Sequence, residues 1–174
     1  MRIAITGAHL VGKTTLAEKL QESLLHYELY AEPYHELVEM GYIFSESPTS
    51  DEYIIQLEHS IKQIENSEND AIFDRCPLDF LAYAQAVDYT YNSQSIFSKV
   101  QKTMSKIDLL VFVPIEIPDV INCSNFDLLE LREDVNDIIR DNINDFDIET
   151  LEVIGNLPER LNLIQKKIQS LKSQ

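Results

Sequence analysis

Near the start of the chain, Gly7-Ala8-His9-Leu10-Val11-Gly12-Lys13-Thr14 satisfies the spacing GxxxxGK(S/T) without a gap. With Gly at an average frequency of about 7%, a random chain of this length would match well under ~1% of the time. Glycines at both ends let the backbone wrap around an anion with its N–H groups turned inward, and a helix N-terminus behind the loop adds partial positive charge. The main-chain amides from Gly7 to Thr15 are therefore the expected phosphate cradle, including those of Ala8, His9, Leu10, Val11 and Gly12. Lys13 is expected to span the β- and γ-phosphates of a nucleoside triphosphate, and the Thr14 hydroxyl to take a place on Mg2+. The His9 side chain is given no role.

Such a site also needs a carboxylate near the metal. Ala71-Ile72-Phe73-Asp74-Arg75 offers one, because a short apolar strand would deliver Asp74 to the same sheet edge as the loop. Asp74 is the expected metal partner, and Arg75 beside it the expected bidentate grip on a phosphate. The fourth apolar run, Leu109 to Val113, ends in Pro114 rather than an acid and supplies no rival.

These residues need elements to hold them. Apolar runs of strand length at Arg2 to Thr6, Tyr27 to Ala31, Ala71 to Phe73, Leu109 to Val113 and Leu151 to Ile154 alternate with stretches of helical spacing. The latter include Leu16, Leu20 and Leu24; Ile54, Leu57, Ile61 and Ile64; Leu78, Leu81 and Ala84; Val135, Ile138 and Ile139; and Leu157, Leu161, Ile164 and Ile168. A strand-then-helix order throughout predicts a three-layer α/β domain around a parallel sheet, since parallel neighbours need crossovers and helices supply them. Phe44 to Ser50 reads as a loop, and the acidic stretch Asp127 to Glu152 as a helix with a connecting loop.

The 174 residues fit one domain, 1–174, with a hydrophobic fraction of 44% to fill its core. Fourteen Lys and Arg against 30 Asp and Glu give a formal charge of −16, which argues against nucleic-acid and anionic-membrane partners but leaves a small anionic ligand open to local donors. The N-terminus carries no secretory pattern, so a cytoplasmic chain with Cys76 and Cys123 reduced is expected.

Together, the loop and the Asp74-Arg75-Cys76 turn resemble the small P-loop kinases of nucleosides and nucleotides, including deoxynucleoside kinases and nicotinamide riboside kinase-like ATPases. The resemblance implies a five-stranded parallel sheet ordered 2-3-1-4-5, ATP with Mg2+, and transfer of the γ-phosphoryl group to a small acceptor. By the same resemblance Glu32, in Glu32-Pro33, takes the proton of the attacking hydroxyl, and Gln56 reads the base. Gly155 and Asn156 border the adenine.

The chain departs from the family pattern at Cys76, where Ser is usual, and at the following helix, which has Asp79 and lacks a further Arg. In place of a lid with clustered arginines, only Arg132 and Arg140 are present, eight residues apart and about 80° out of line on a helix. They could close over phosphates or pair with neighbouring acids. The expected function is an ATP-dependent phosphotransferase acting on a nucleoside or nucleotide. The alternative is an ATPase or nucleotide-controlled interaction protein without a small acceptor. A homodimer is left open.

Overall fold

The computed structural model describes residues 1–91, 94–117 and 126–173; Cys123 lies outside them. Five strands, β1 (Arg2–Thr6), β2 (Glu28–Tyr30), β3 (Ala71–Asp74), β4 (Leu109–Phe112) and β5 (Thr150–Glu152), form one sheet in the order β2-β3-β1-β4-β5. Every pairing is parallel. The described helices are α1 (Lys13–Ser23), α2 (Pro33–Glu39), α3 (Ser50–Asn66), α4 (Pro77–Val87), α5 (Gln94–Met104), α6 (Phe126–Asn142) and α7 (Leu157–Lys172), with a 3-10 turn at Ile143–Asp145. None is long and apolar enough to cross a membrane.

The expected sheet order is the observed one, and strand ends differ from the sequence reading by one or two residues. The strand-then-helix order does not hold throughout. Two helices follow β2 and two follow β3. Pro33 does not merely make a turn: it occupies the first turn of α2, with Glu32 at the N-cap, where the missing N–H is harmless and the fixed φ favours the helix. In α5, Val100 and Met104 are buried and Ile96 and Phe97 pack against the core, an i, i+4, i+8 stripe in an otherwise polar segment.

Hydrophobic burial fixes the sheet centre. Ile3, Ala4 and Ile5 of β1 have no exposed surface, and all four residues of β3 and of β4 are buried. Burying one such Ile contributes roughly 1.5–3 kcal/mol, so the strand that launches the glycine loop is firmly held. The register sets Ile5 opposite Asp74 and Thr6 opposite Phe112, which brings the carboxyl ends of β1, β3 and β4 to one edge. There Gly7 turns at φ 147°, and a Cβ on it would lie 2.3 Å from the Val113 carbonyl oxygen, so only glycine lets the loop leave β1 this close to β4.

α1 packs with α7, while α4 packs with α3, α5 and α6. Helix α4 is buried nearly all round, from Pro77 to Ala84 and at Ala86, as a helix enclosed by neighbours must be. Two of its buried residues, Asp79 and Tyr83, are polar and one turn apart, so they share one face.

Candidate active site

The loop leaves β1 at Gly7 and ends where Gly12, at φ 88°, caps α1. Two of its amides are already bonded from within. Gly7 N donates to Asp79 Oδ1 at 3.0 Å, and His9 N donates to the Tyr83 hydroxyl at 2.8 Å. Because Asp79 and Tyr83 are successive turns of α4, one rigid helix holds both positions of the loop. The amides of Gly7 and His9, both within the expected cradle, are thus already engaged within the fold. The His9 ring lies against Tyr83, with Nδ1 3.0 Å from its hydroxyl, a packing position.

Asp79 also accepts from Cys76 N at 2.9 Å through its other oxygen, and it is wholly buried. Its carboxylate thus joins the β1 loop to the β3–α4 turn. The sequence signal was present in Pro77 and an acid three residues after Cys76, the spacing of a helix cap. What the spacing could not reveal was the second oxygen reaching Gly7.

Lys13 is 4% exposed, and its Nζ donates to the Ala8 carbonyl at 2.5 Å. Burial, reinforced by Arg75, pushes its ammonium down to about 7. Asp74 ends β3 and is buried; burial raises its carboxyl above the ordinary range, while a hydrogen bond with Thr14 works the other way. Its Oδ1 has no hydrogen-bond partner. A buried, unpartnered carboxylate oxygen beside a hydroxyl at a helix N-terminus is a hard-oxygen donor set, and it fits Mg2+, which takes one or two protein ligands with phosphates and water. No cluster of three or more His, Cys, Asp or Glu suited to a metal exists among the described residues, so the site has no dedicated protein cage.

Arg75 adopts φ 79°, a left-handed conformation strained for a non-glycine residue. This turns its guanidinium toward β2, where Nε lies 2.6 Å from Glu32 Oε1, with Asp79 Oδ1 3.9 Å from Nη1 and the Tyr83 ring beneath. Burial opposes its charge, but Tyr83, Glu32 and Asp79 outweigh burial and hold it protonated. Glu32, Arg75 and Gln56 all line one cleft of about 770 Å³ beside the loop, walled by Tyr53, Phe80 and Tyr83. Tyr53 stacks on Tyr83 with ring centroids 4.9 Å apart.

The two lid candidates separate. Arg132 is buried and its Nε donates to the His9 carbonyl at 2.9 Å, which sets it on the loop. Arg140 instead pairs with Glu152 at 3.0 Å on the surface and leaves the site, because the angular offset on α6 carries it to the β5 side. Asn156 caps α7 in a reciprocal bond pair with Glu159, and Gly155 N donates to Glu116 at 2.8 Å. Glu116 also receives Arg160, whose other nitrogen donates to the Val11 carbonyl at 2.8 Å. That chain of bonds ties the segment after β5 to the loop, and sequence reading assigned nothing to Glu116 or Arg160.

Asp79→Asn offers only one acceptor oxygen to two buried amides and is expected to cost about 1–3 kcal/mol in denaturant unfolding, with weaker nucleotide binding. An unchanged unfolding midpoint would remove the carboxylate as the link between loop and turn. For Lys13, a bound triphosphate raises the depressed value, so binding above a pH of about 7 takes up a proton and affinity falls as pH rises. Calorimetry at a pH of about 8, in two buffers of different ionisation enthalpy, is expected to register up to about one proton absorbed per nucleotide. No uptake would separate Lys13 from the phosphates.

Comparison with curated proteins returns no match. Among solved structures, the chain resembles deoxyadenosine kinase from M. mycoides with dCMP and a flexible dCDP bound (22% identity, TM-score 0.70, 98% of this chain and 100% of that one). It also resembles thymidylate kinase from Candida albicans (16%, 0.69, 98% and 92%) and shikimate kinase from Aquifex aeolicus (20%, 0.63, 99% and 98%). At these identities the likeness establishes the fold. The family described as an AAA domain matches residues 2–160, and the chain belongs to this family of P-loop proteins.

Proposed function

We propose that the chain is an ATP-dependent phosphotransferase that moves the γ-phosphoryl group to a hydroxyl of a small acceptor, a nucleoside or nucleotide. One observation carries this reading: His9 of the glycine loop and Arg75, next to Asp74 in sequence, line a cleft that also holds a second carboxylate, Glu32, paired with Arg75. A protein that only hydrolysed ATP would need neither a walled cleft of about 770 Å³ nor a carboxylate across it. The kinase neighbours support the same reading, since deoxyadenosine, thymidylate and shikimate kinases share the fold.

In this reading the amides from Leu10 to Thr15 hold the β- and γ-phosphates, and Lys13 leaves the Ala8 carbonyl for them. Thr14 and Asp74 would hold Mg2+, whose charge neutralises the developing negative charge on the phosphate oxygens. Arg75 orients Glu32 and offers a donor to the transferring group. The acceptor oxygen forms a bond to the γ-phosphorus as the bond to the β-phosphate oxygen breaks, the hydroxyl proton passes to Glu32, and ADP leaves. Gly155 and Asn156, bonded through Glu116 and Arg160 to the back of the loop, border the adenine. Arg132 steadies the loop from α6.

Glu32→Gln is expected to keep ATP affinity while lowering kcat for transfer by about 10²–10⁴-fold, as loss of a general base does. Unchanged transfer in the variant would remove Glu32 from the mechanism. ATP hydrolysis at one rate with and without every acceptor, read by mass spectrometry of products, would favour the nucleotide-controlled ATPase instead.

A further inference from the structure

Kinases of this fold are named for acceptors that are uncharged, phosphorylated or carboxylated, so the fold leaves acceptor charge undecided. The cleft decides it. Resting on the phosphotransfer reading above, we propose that the acceptor is a ring-bearing alcohol with no anionic group, and that Glu46, Glu130 and Asp134 discriminate against phosphomonoesters and carboxylates.

The chain has 14 Lys and Arg, and Arg75 alone among them lines the cleft. Its charge is answered by Glu32 at 2.6 Å and by Asp79. Lys13, Arg132 and Arg160 are turned to the loop carbonyls of Ala8, His9 and Val11. Arg2 donates to Ser67 at the opposite edge of the sheet, and Lys19, Lys99, Lys106, Arg140 and Lys167 pair with acids on outer surfaces. Residues 92–93 and 118–125 contain no Lys or Arg, so they can add no cation to the cleft.

Against that single, matched guanidinium stand four lining carboxylates: Glu32, Glu46, Glu130 and Asp134. Asp134 is fixed by the Tyr89 hydroxyl, which donates to it at 2.5 Å. A phosphomonoester near charge −2 would enter a cleft whose lining is net negative, where the Arg75 guanidinium, although its Nε and Nη1 have no hydrogen-bond partner, already faces the charges of Glu32 and Asp79. The walls instead suit a flat ring: Tyr34, Tyr53, Phe80 and Tyr83 are among the lining residues, and Gln56, 3% exposed, supplies an amide for polar edges. A cationic ring fits the same walls, since tyrosine faces and carboxylates both attract positive charge.

The test uses the full chain with Mg-ATP and matched acceptors: deoxyadenosine and dAMP, deoxycytidine and dCMP, thymidine and dTMP, a pyridinium ribonucleoside, and shikimate. At least one uncharged or cationic member is expected to be phosphorylated with kcat/KM at least about tenfold above its monophosphate partner or shikimate. Equal or faster transfer to a monophosphate or to shikimate overturns the inference and leaves the phosphotransfer reading standing. ATP turnover that ignores every acceptor overturns the phosphotransfer reading, and this inference with it. The triple variant Glu46→Gln, Glu130→Gln, Asp134→Asn is expected to narrow the nucleoside-to-monophosphate ratio by about fivefold or more at low salt, and less at high salt. A ratio that does not move in a variant of unchanged thermal midpoint removes these carboxylates as the discriminating groups.

Discussion

A single buried carboxylate organises the catalytic edge. Asp79 accepts the amides of Gly7 and Cys76, one from each of the two turns that leave β1 and β3. Neither amide has a strand partner at that point, and an orphaned donor in so buried a place is costly. The charge of Asp79 is tolerable because two backbone dipoles and the nearby Arg75 guanidinium face it. Without this arrangement, the loop and the Asp74-Arg75 turn would be free to move relative to each other, although the proposed phosphoryl transfer needs both at the same phosphate.

The surrounding elements extend that anchorage. Helix α4 contributes Tyr83 one turn further on, and its hydroxyl fixes His9 while its ring lies under Arg75. From the other side, Arg132 on α6 and Arg160 on α7 hold the carbonyls of His9 and Val11. Alternate groups of the loop are thus fastened to three helices, which leaves the remaining amides in a fixed arc. Lys13, enclosed by this scaffold, is where it is least favourably solvated, and an incoming polyanion relieves that.

The phosphate-binding loop and the strand pattern were legible because both are local: glycine spacing and runs of β-branched residues carry their meaning within a few positions. Asp74 was legible for the same reason, as the acid that ends an apolar run. Helix α2 escaped because Pro33 reads equally as a turn and as a helix start, and α5 because its apolar stripe is narrow. Asp79 carried a local signal only as a capping acid three residues after Cys76, whereas its bond to Gly7 spans 72 positions. The two bonds of the Glu116–Arg160–Val11 relay span 44 and 149 positions, and the relay has no local signature at all. The angular offset between Arg132 and Arg140 was legible in sequence, but which of them meets the loop and which meets Glu152 was set by how α6 packs.

Arg75 holds a backbone conformation that glycine or asparagine would adopt with less strain, at a difference of about 1–3 kcal/mol. The position therefore sets conformational ease against side-chain chemistry. Selection for thermostability alone would drift toward a small residue there, removing the one Lys or Arg among the described residues that lines the cleft. Stabilised variants of this fold obtained without an activity screen are consequently the ones in which that residue should be inspected first.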